Sequence, residues 1–362
     1  MKDLYSVDWT FKEARTEPLH SIHPYPAKFI PQIPEKLLEL FSPKKNLCIL
    51  DPFCGSGVTV CVAQKMGYNA IGVDLNPIAT LITRVKTTPV ADDFLNICDS
   101  IVEECKKHEQ PVEKKNFPNI DHWFSVDIQY ALAILKEQID VFRDYQNYDA
   151  LNFCFSSIIV KVSNQDSDTR YAFRDKGKTK TDVLKFFLQS ARKLKKNSIK
   201  DGTTATILNM NSLHLDDQIP NNIGAVITSP PYPCAYEYWL YHKFRMYWLN
   251  YDPIQVRGEE IGARYSYFKK SKYEGYDFAV QMTKLLSYLY DKCVPGAPLC
   301  FVIGRSKIHG QIYNNDEIIA DIGKSIGYKY IATLTRDMVN SRKSFNLSHA
   351  RIKVEYIVVL QK

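Results

Sequence analysis

The sequence predicts an α/β fold, a doubly wound and mostly parallel sheet interrupted by helical segments. Two observations carry that reading. Near the amino terminus a short apolar run, a loop and a helical run follow one another twice, in "NLCILDPFCGSGVTVCVAQKMG" and "YNAIGVDLNPIATLITRVK". After residue 203, apolar runs of strand length return in "TTATILNMNSLHL", "IGAVITSPPY", "GAPLCFVIGRSK", "YKYIATLTRDM" and "RIKVEYIVVLQK". Strands alternating with helices are the pattern of βαβ units.

The elements follow in order. "IPQIPEKLLELF" spaces Ile33, Leu37, Leu40 and Phe41 along one helical face and must stop at Ser42-Pro43. "NLCILD" is a short buried strand, and "PFCGSG" is the loop behind it. "VTVCVAQKM" forms a helix closed by Gly67, where a left-handed cap is natural. "YNAIGVDLN" is the second strand, and Pro77 opens the next helix where its missing N–H costs nothing. Residues 90–202 then break the alternation with helical runs such as "DIQYALAILKEQID" and "VLKFFLQSARKLKK". They are read as a helical insertion between two halves of the sheet, 1–89 and 203–362, and as a DNA- or target-recognition region. A second insertion, rich in Tyr and Phe, spans 234–295.

Composition excludes several classes. At 45% hydrophobic and 24% charged residues, the 362-residue chain has the make-up of a globular protein rather than a disordered one. No apolar stretch approaches the roughly 20 residues that span a bilayer. The first residues carry no apolar core behind a basic head, so a cytoplasmic protein without membrane contact is expected. The nine cysteines are odd in number and never spaced C-x-x-C, which speaks against a disulfide framework and against a metal site. The net charge of +7 is concentrated: Arg170 to Lys200 holds eleven Lys or Arg against Asp175 and Asp182. Such a run is either a solvated face or a surface for polyanions.

The glycine loop "LDPFCGSGVTV" places Asp51, Pro52, Phe53, Gly55 and Gly57 at the carboxyl end of a strand, where sheets of this kind bind ligands. No Gly-Lys-Ser/Thr follows and Asp51 would repel phosphate, so this is not a phosphate loop. Asp74 closes the second strand at the distance where a carboxylate accepts both hydroxyls of a ribose. Two acids beside a glycine loop suit a cationic nucleoside such as S-adenosyl-L-methionine. Asn76, beside Asp74, is a further cofactor-binding candidate; equally, Asp51 could cap its own turn and Asp74 the helix that follows.

"TSPPY" decides between these readings. "DPFCGSG", then "GVDLNP", then "TSPPY" on a later strand resembles the amino-methylating DNA methyltransferases, whose catalytic motif is Ser/Asn/Asp-Pro-Pro-Tyr. The resemblance covers about half the chain, roughly residues 20–89, 203–234 and 296–362. It implies a Rossmann-like seven-stranded methyltransferase sheet with an antiparallel last strand, S-adenosyl-L-methionine as cofactor, and double-stranded DNA as partner. A cognate restriction endonuclease is a further implied partner.

The chemistry accounts for the motif. An exocyclic base amine is conjugated and poorly nucleophilic, so its hydrogens need acceptors. Ser229 Oγ and the carbonyl of Pro230, held rigid by Pro231, supply them, while Tyr232 offers a ring face to a base swung out of the duplex. The opposing possibility is a rigid turn with Tyr232 in the core. Cys234 lies past the tyrosine and is read as structural.

Further positions follow from the resemblance. His23, Pro24, Lys28 and Phe29 occupy the segment that covers the methionine end of the cofactor. Asn211 and Ser212 follow the third strand, where an acid or amide meets the adenine. Arg170, Tyr171, Arg174, Lys176, Lys178 and Lys180 suit a loop that grips phosphates. The opening serine favours cytosine N4 over adenine N6. An RNA guanine-N2 methyltransferase and a catalytically silent DNA-binding subunit are the alternatives.

Overall fold

The structure is a computed structural model that describes residues 3–13, 17–26, 29–234, 236–267, 275–337 and 354–362. Its centre is a sheet of seven strands: β1 (Cys48–Asp51), β2 (Ala70–Asp74), β5 (Ala205–Asn209), β6 (Ile223–Thr228), β7 (Pro298–Ile303), β10 (Lys329–Asp337) and β11 (Val354–Gln361). They lie in the order β10-β11-β7-β6-β1-β2-β5. Only β11 runs against its neighbours, pairing antiparallel with both β10 and β7. The antiparallel last strand is therefore present as expected. β1, β6 and β7 are buried at every position, which is why they read as unbroken apolar runs rather than alternating ones.

Helices cover both faces. α1 (Gln32–Phe41) buries Ile33, Leu37 and Leu38 and stops at Ser42, whose backbone turns left-handed at φ 44°. α2 (Val58–Lys65) runs toward Gly67, at φ 79°. α3 (Pro77–Lys86) starts with proline in its first turn and is capped by Asn76, whose side chain accepts from Ile78 N–H. The region after it holds α4 (Phe94–Lys107), α5 (Ile120–Trp123), α6 (Val126–Asp140), α7 (Tyr148–Val162) and α8 (Lys180–Asn197). Between α7 and α8 lies a hairpin of β3 (Gln165–Ser167) and β4 (Arg170–Phe173). These helices share one apolar cluster with Ile78, Leu81, Ile82 and Val85 of α3, so the inserted region is packed onto the sheet's own helix layer.

The segment between β6 and β7 holds α9 (Tyr238–Trp248), α10 (Pro253–Glu259) and α11 (Gly275–Lys292). It is less of an insertion than its aromatic content suggests. β6 and β7 are parallel, so the chain must cross over between them, and α11 does so with Phe278, Met282, Leu285, Leu286 and Leu289 in the core. After β7 a small hairpin, β8 (Ser306–Ile308) and β9 (Gln311–Tyr313), turns through His309 and Gly310, both at positive φ, and α12 (Asn315–Ile326) leads into β10. The expected single strand "GAPLCFVIGRSK" thus ends at Ile303. Among the described residues no helix is long and apolar enough to cross a membrane.

Candidate active site

The sheet order reverses between β1 and β6, and the crevice outside their carboxyl ends is where such sheets take ligands. Asp51 ends β1 and Thr228 ends β6, and the Thr228 hydroxyl donates to Asp51 Oδ1 at 2.6 Å. That bond joins the glycine loop to the strand that carries Ser229. The same carboxylate oxygen accepts Phe53 N–H at 3.1 Å, shaping the turn. Asp51 is fully buried, and burial pushes its carboxyl up to about 7 against the pull of these hydrogen bonds.

The loop is braced from below. Gly55 N–H donates to Asp74 Oδ2 at 2.8 Å and Asn76 N–H donates to Asp74 Oδ1 at 2.8 Å, so Asp74 ties the loop to the end of β2. Burial raises the Asp74 carboxyl to about 6 although both N–H groups lower it. Thr83 of α3 donates to Gly55 O at 2.9 Å, and the buried Lys86 ammonium donates to Ser56 O at 2.8 Å. Gly57 sits at φ 77°, and a Cβ there would lie 2.6 Å from Thr83 Cγ2, so backbone conformation and close packing both demand glycine.

Above the loop a cavity of about 770 Å³, counted to its open mouth, lies within the range of small-molecule sites. Its wall includes Phe29, Phe53, Gly55, Asp74, Asn76, Asn211, Ser212, Ser229 and Pro231. The two distant motifs therefore meet. Asp51, Pro52, Gly57 and Pro230 are close to wall residues in the chain but are not themselves among them. Ser212 is fixed by donating to Pro52 O, and Asn211 Oδ1 accepts Leu213 N–H at 2.9 Å, so both hold the loop after β5 in place. Lys28 falls outside the described residues. His23 is committed elsewhere: its ring bonds Pro24 O at 2.8 Å and Ser156 Oγ at 2.6 Å and is buried.

Tyr232 is not itself among the wall residues. Its ring is only 8% exposed and belongs to the apolar cluster with Ile261 and Phe278, of which Ile261 itself lines the cavity. Gly262 packs against the backbone of this turn, where a Cβ would lie 2.8 Å from the Tyr232 carbonyl carbon. Cys234 is also outside the wall; its N–H donates to Gly262 O at 3.1 Å with φ 61°.

Ten wall residues escaped the sequence reading, among them Tyr25, Tyr238, Glu259 and Glu260. Tyr25 stands over the glycine loop, its hydroxyl 3.1 Å from where a Gly55 Cβ would be, and its ring stacks on Tyr238 at 5.9 Å and 26°. Glu260 accepts Tyr238 N–H at 2.9 Å and Trp239 N–H at 2.7 Å, and burial pushes its carboxyl up to about 8.

The basic stretch divides into two parts. Arg174 is exposed and 3.4 Å from Asp166, Arg170 pairs with the same carboxylate at 3.8 Å, and Lys178 and Lys180 flank the start of α8. Lys176 instead turns inward to donate to Val160 O at 2.7 Å, and burial pulls its ammonium down to about 8. Tyr171 is tied into a cluster with Trp123 and Phe244 at 4.7 and 5.8 Å, whereas Phe173 is 52% exposed. Of the aromatics on β4, the outward one is Phe173.

Sheet, switch-point cavity and braced glycine loop together define an α/β protein built to hold a small polar ligand between two motif-bearing strands. Residues 2–84 match a family model described as DNA methylase. Parts of the chain are similar to the Type II methyltransferase M.MvaI of Kocuria varians, 30% identical over 156 residues, or 40% of this chain and 34% of the relative. Type II methyltransferase M.MjaII of Methanocaldococcus jannaschii is 40% identical over 159 residues, 38% of this chain and 28% of the relative. Type II methyltransferase M.BsoBI of Geobacillus stearothermophilus is 20% identical over 416 residues, 90% of this chain and 82% of the relative. The chain spans about a third of the length of the first two. Over these matched stretches the chain is similar to amino-methylating DNA methyltransferases.

Proposed function

We propose that the protein transfers a methyl group from S-adenosyl-L-methionine to the exocyclic amine of a base swung out of double-stranded DNA, cytosine N4 before adenine N6. The observation that carries this reading is the shared wall: the glycine loop and Ser229-Pro231 border one cavity at the switch point of the sheet.

The residues fit the cofactor. Asn76 Nδ2 is buried without a hydrogen-bond partner, Asp74 presents a carboxyl in the same wall, and Tyr25, Phe29 and Phe53 add aromatic surface. When bound, S-adenosyl-L-methionine supplies a methyl group on a positively charged sulfur. Asp74 would accept the ribose hydroxyls while continuing to hold Gly55 N–H, and Asn211 and Ser212 would border the adenine. Ser229 Oγ and the Pro230 carbonyl would accept the amine hydrogens as positive charge grows on the nitrogen, dipoles fixed in advance so that no reorganisation is needed during transfer. Pro231 holds that carbonyl in place.

Incubation with methyl-labelled cofactor should label duplex DNA and leave RNA unlabelled, and digestion should give N4-methyldeoxycytidine. N6-methyldeoxyadenosine would overturn the cytosine preference, label in RNA alone would overturn DNA as substrate, and no transfer would leave a binding subunit.

The exposed cations of the β3–β4 hairpin and the start of α8 are the proposed phosphate-binding groups. Substituting Arg174, Lys178 and Lys180 by glutamine should weaken binding to every duplex sequence alike and lower the slope of log K against log salt by about 0.9 for each phosphate no longer neutralised. Lys176→Gln should instead destabilise the fold, because its ammonium caps Val160 O. An unchanged salt slope in the triple variant would remove this basic segment from the interface.

A further inference from the structure

We propose that the β3–β4 hairpin is the ribbon that reads DNA sequence beside the methylated base, and that Phe173 is its base-contacting side chain. The inference rests on the function proposed above and deepens it.

A hairpin of three and four residues is too small to hold a shape by itself. It is fixed at both ends. Asn164 N–H donates to Trp123 O at 2.7 Å and Arg174 N–H donates to Asn164 O at 2.7 Å, which closes the base of the hairpin. Gln165 is buried, and its amide donates to Ser167 O at 2.7 Å. At the far end the turn residue Asp168 pairs with Arg245, a buried guanidinium of α9 that also donates to Ser156 O at 3.0 Å. Burying a guanidinium is costly unless it is paired, so the turn and the middle of α9 are held together.

The helix that grips the turn starts in the cavity wall. Tyr238, its first residue, lines the cavity, and Arg245 follows seven residues later, a rise of about 10 Å. That is the length of about three base-pair steps. Base pairs close to the swung-out base are therefore within the hairpin's reach, and the major groove, about 12 Å wide, admits a two-stranded ribbon.

Phe173 is the side chain available for that contact. It shares a face of β4 with Tyr171, whose ring is covered by Trp123 at 4.7 Å and Phe244 at 5.8 Å. Phe173 lies farther out, 6.5 Å from Trp123, and rests on the ring of the exposed His122 at 4.7 Å. Packing orients it and still leaves it half exposed. Its surroundings are cationic, since Arg170 and Arg174 share the Asp166 carboxylate at 3.8 and 3.4 Å. An apolar ring among cations matches a polyanion with apolar groups on its groove edges, such as the methyl of thymine. The positive run continues into α8, so phosphates flanking such a contact have partners as well.

The test uses the full chain, S-adenosyl-L-methionine and unmodified genomic duplex, with methylated positions mapped by sequencing to define the wild-type target. Short duplexes carrying each single base-pair change then give a discrimination ratio, kcat/KM for the target over kcat/KM for the changed duplex. Phe173→Ser should lower this ratio by about tenfold at one position beside the methylated base and leave it within about threefold elsewhere. Phe173→Leu, which keeps an apolar side chain, should lower it less. Both variants should bind S-adenosyl-L-methionine within about threefold of wild type, because Phe173 is not among the cavity wall residues, and this certifies the fold. Arg174→Gln should instead weaken all duplexes alike and leave every ratio unchanged. Unchanged ratios in Phe173→Ser, or a loss spread evenly over all positions, would remove Phe173 from sequence reading. A wild type that methylates no DNA would be a failure of the underlying function instead.

Discussion

Ser229→Ala should lower single-turnover methyl transfer by about 10²- to 10³-fold, the loss seen when one preorganised dipole is removed from a charge-developing centre. The expectation follows from placement. Ser229 lines the cavity directly after β6, and its neighbour Thr228 is locked to Asp51 by a 2.6 Å hydrogen bond. The hydroxyl therefore stands on a strand end that cannot drift from the glycine loop. Alanine removes the acceptor and leaves an amine hydrogen without that fixed partner. Cofactor affinity should be unchanged, since the loss is confined to the reacting amine. Ser229→Asn should recover part of the rate, because it restores an acceptor of the kind the family motif allows. Transfer in Ser229→Ala at the wild-type single-turnover rate would remove the hydroxyl from the reaction.

The sequence exposed the half of this site that depends on local rules. A glycine loop after a buried strand has few conformations open to it, and the end of the next parallel strand has to lie beside it once the sheet order is set, so "DPFCGSG" and "TSPPY" could be brought together on paper. Pro77 and Gly67 were equally legible, because caps and turns are short-range chemistry, whereas the cap of that helix proved to be Asn76 rather than Asp74. Tyr25, Tyr238 and Glu260 were not. Tyr25 reaches the loop from 30 residues upstream of Gly55, and Glu260 caps a helix that begins 22 residues before it. No periodicity records such meetings. The same blindness explains Lys176: in a run of cations every lysine looks solvent-facing, yet one turns inward to join the Ser163 hydroxyl in donating to Val160 O at the end of α7. The hairpin itself was hidden because its strands are three and four residues long.

Cofactor affinity should fall by about 100-fold in Asp74→Ala, for two coupled reasons. The variant loses the carboxyl offered to the ribose and frees Gly55 N–H and Asn76 N–H, so the loop must be ordered by the ligand instead of in advance. S-adenosylhomocysteine shares the ribose and should weaken to the same extent. The pH dependence separates ribose recognition from charge. Asp74 titrates near 6 and the adjacent Asp51 near 7, both raised by burial, while the Tyr25, Tyr238 and Cys54 hydrogens stay on because burial pushes those groups up as well. A carboxyl whose folded pKa is raised binds its proton more tightly folded than unfolded, so the ligand-free protein loses stability as pH rises from the unfolded value of about 4 through 6 and 7. A sulfonium placed beside these groups favours their charged forms, and its binding releases protons. The dissociation constant for S-adenosyl-L-methionine should therefore drop by about tenfold or more between pH 5 and 8, while that of the uncharged-sulfur product changes much less. Glu260, titrating near 8, adds to the trend only at its upper end. Equal pH profiles for the two ligands would show that these buried acids do not face the sulfur, leaving Asp74 only its roles toward the ribose and the loop.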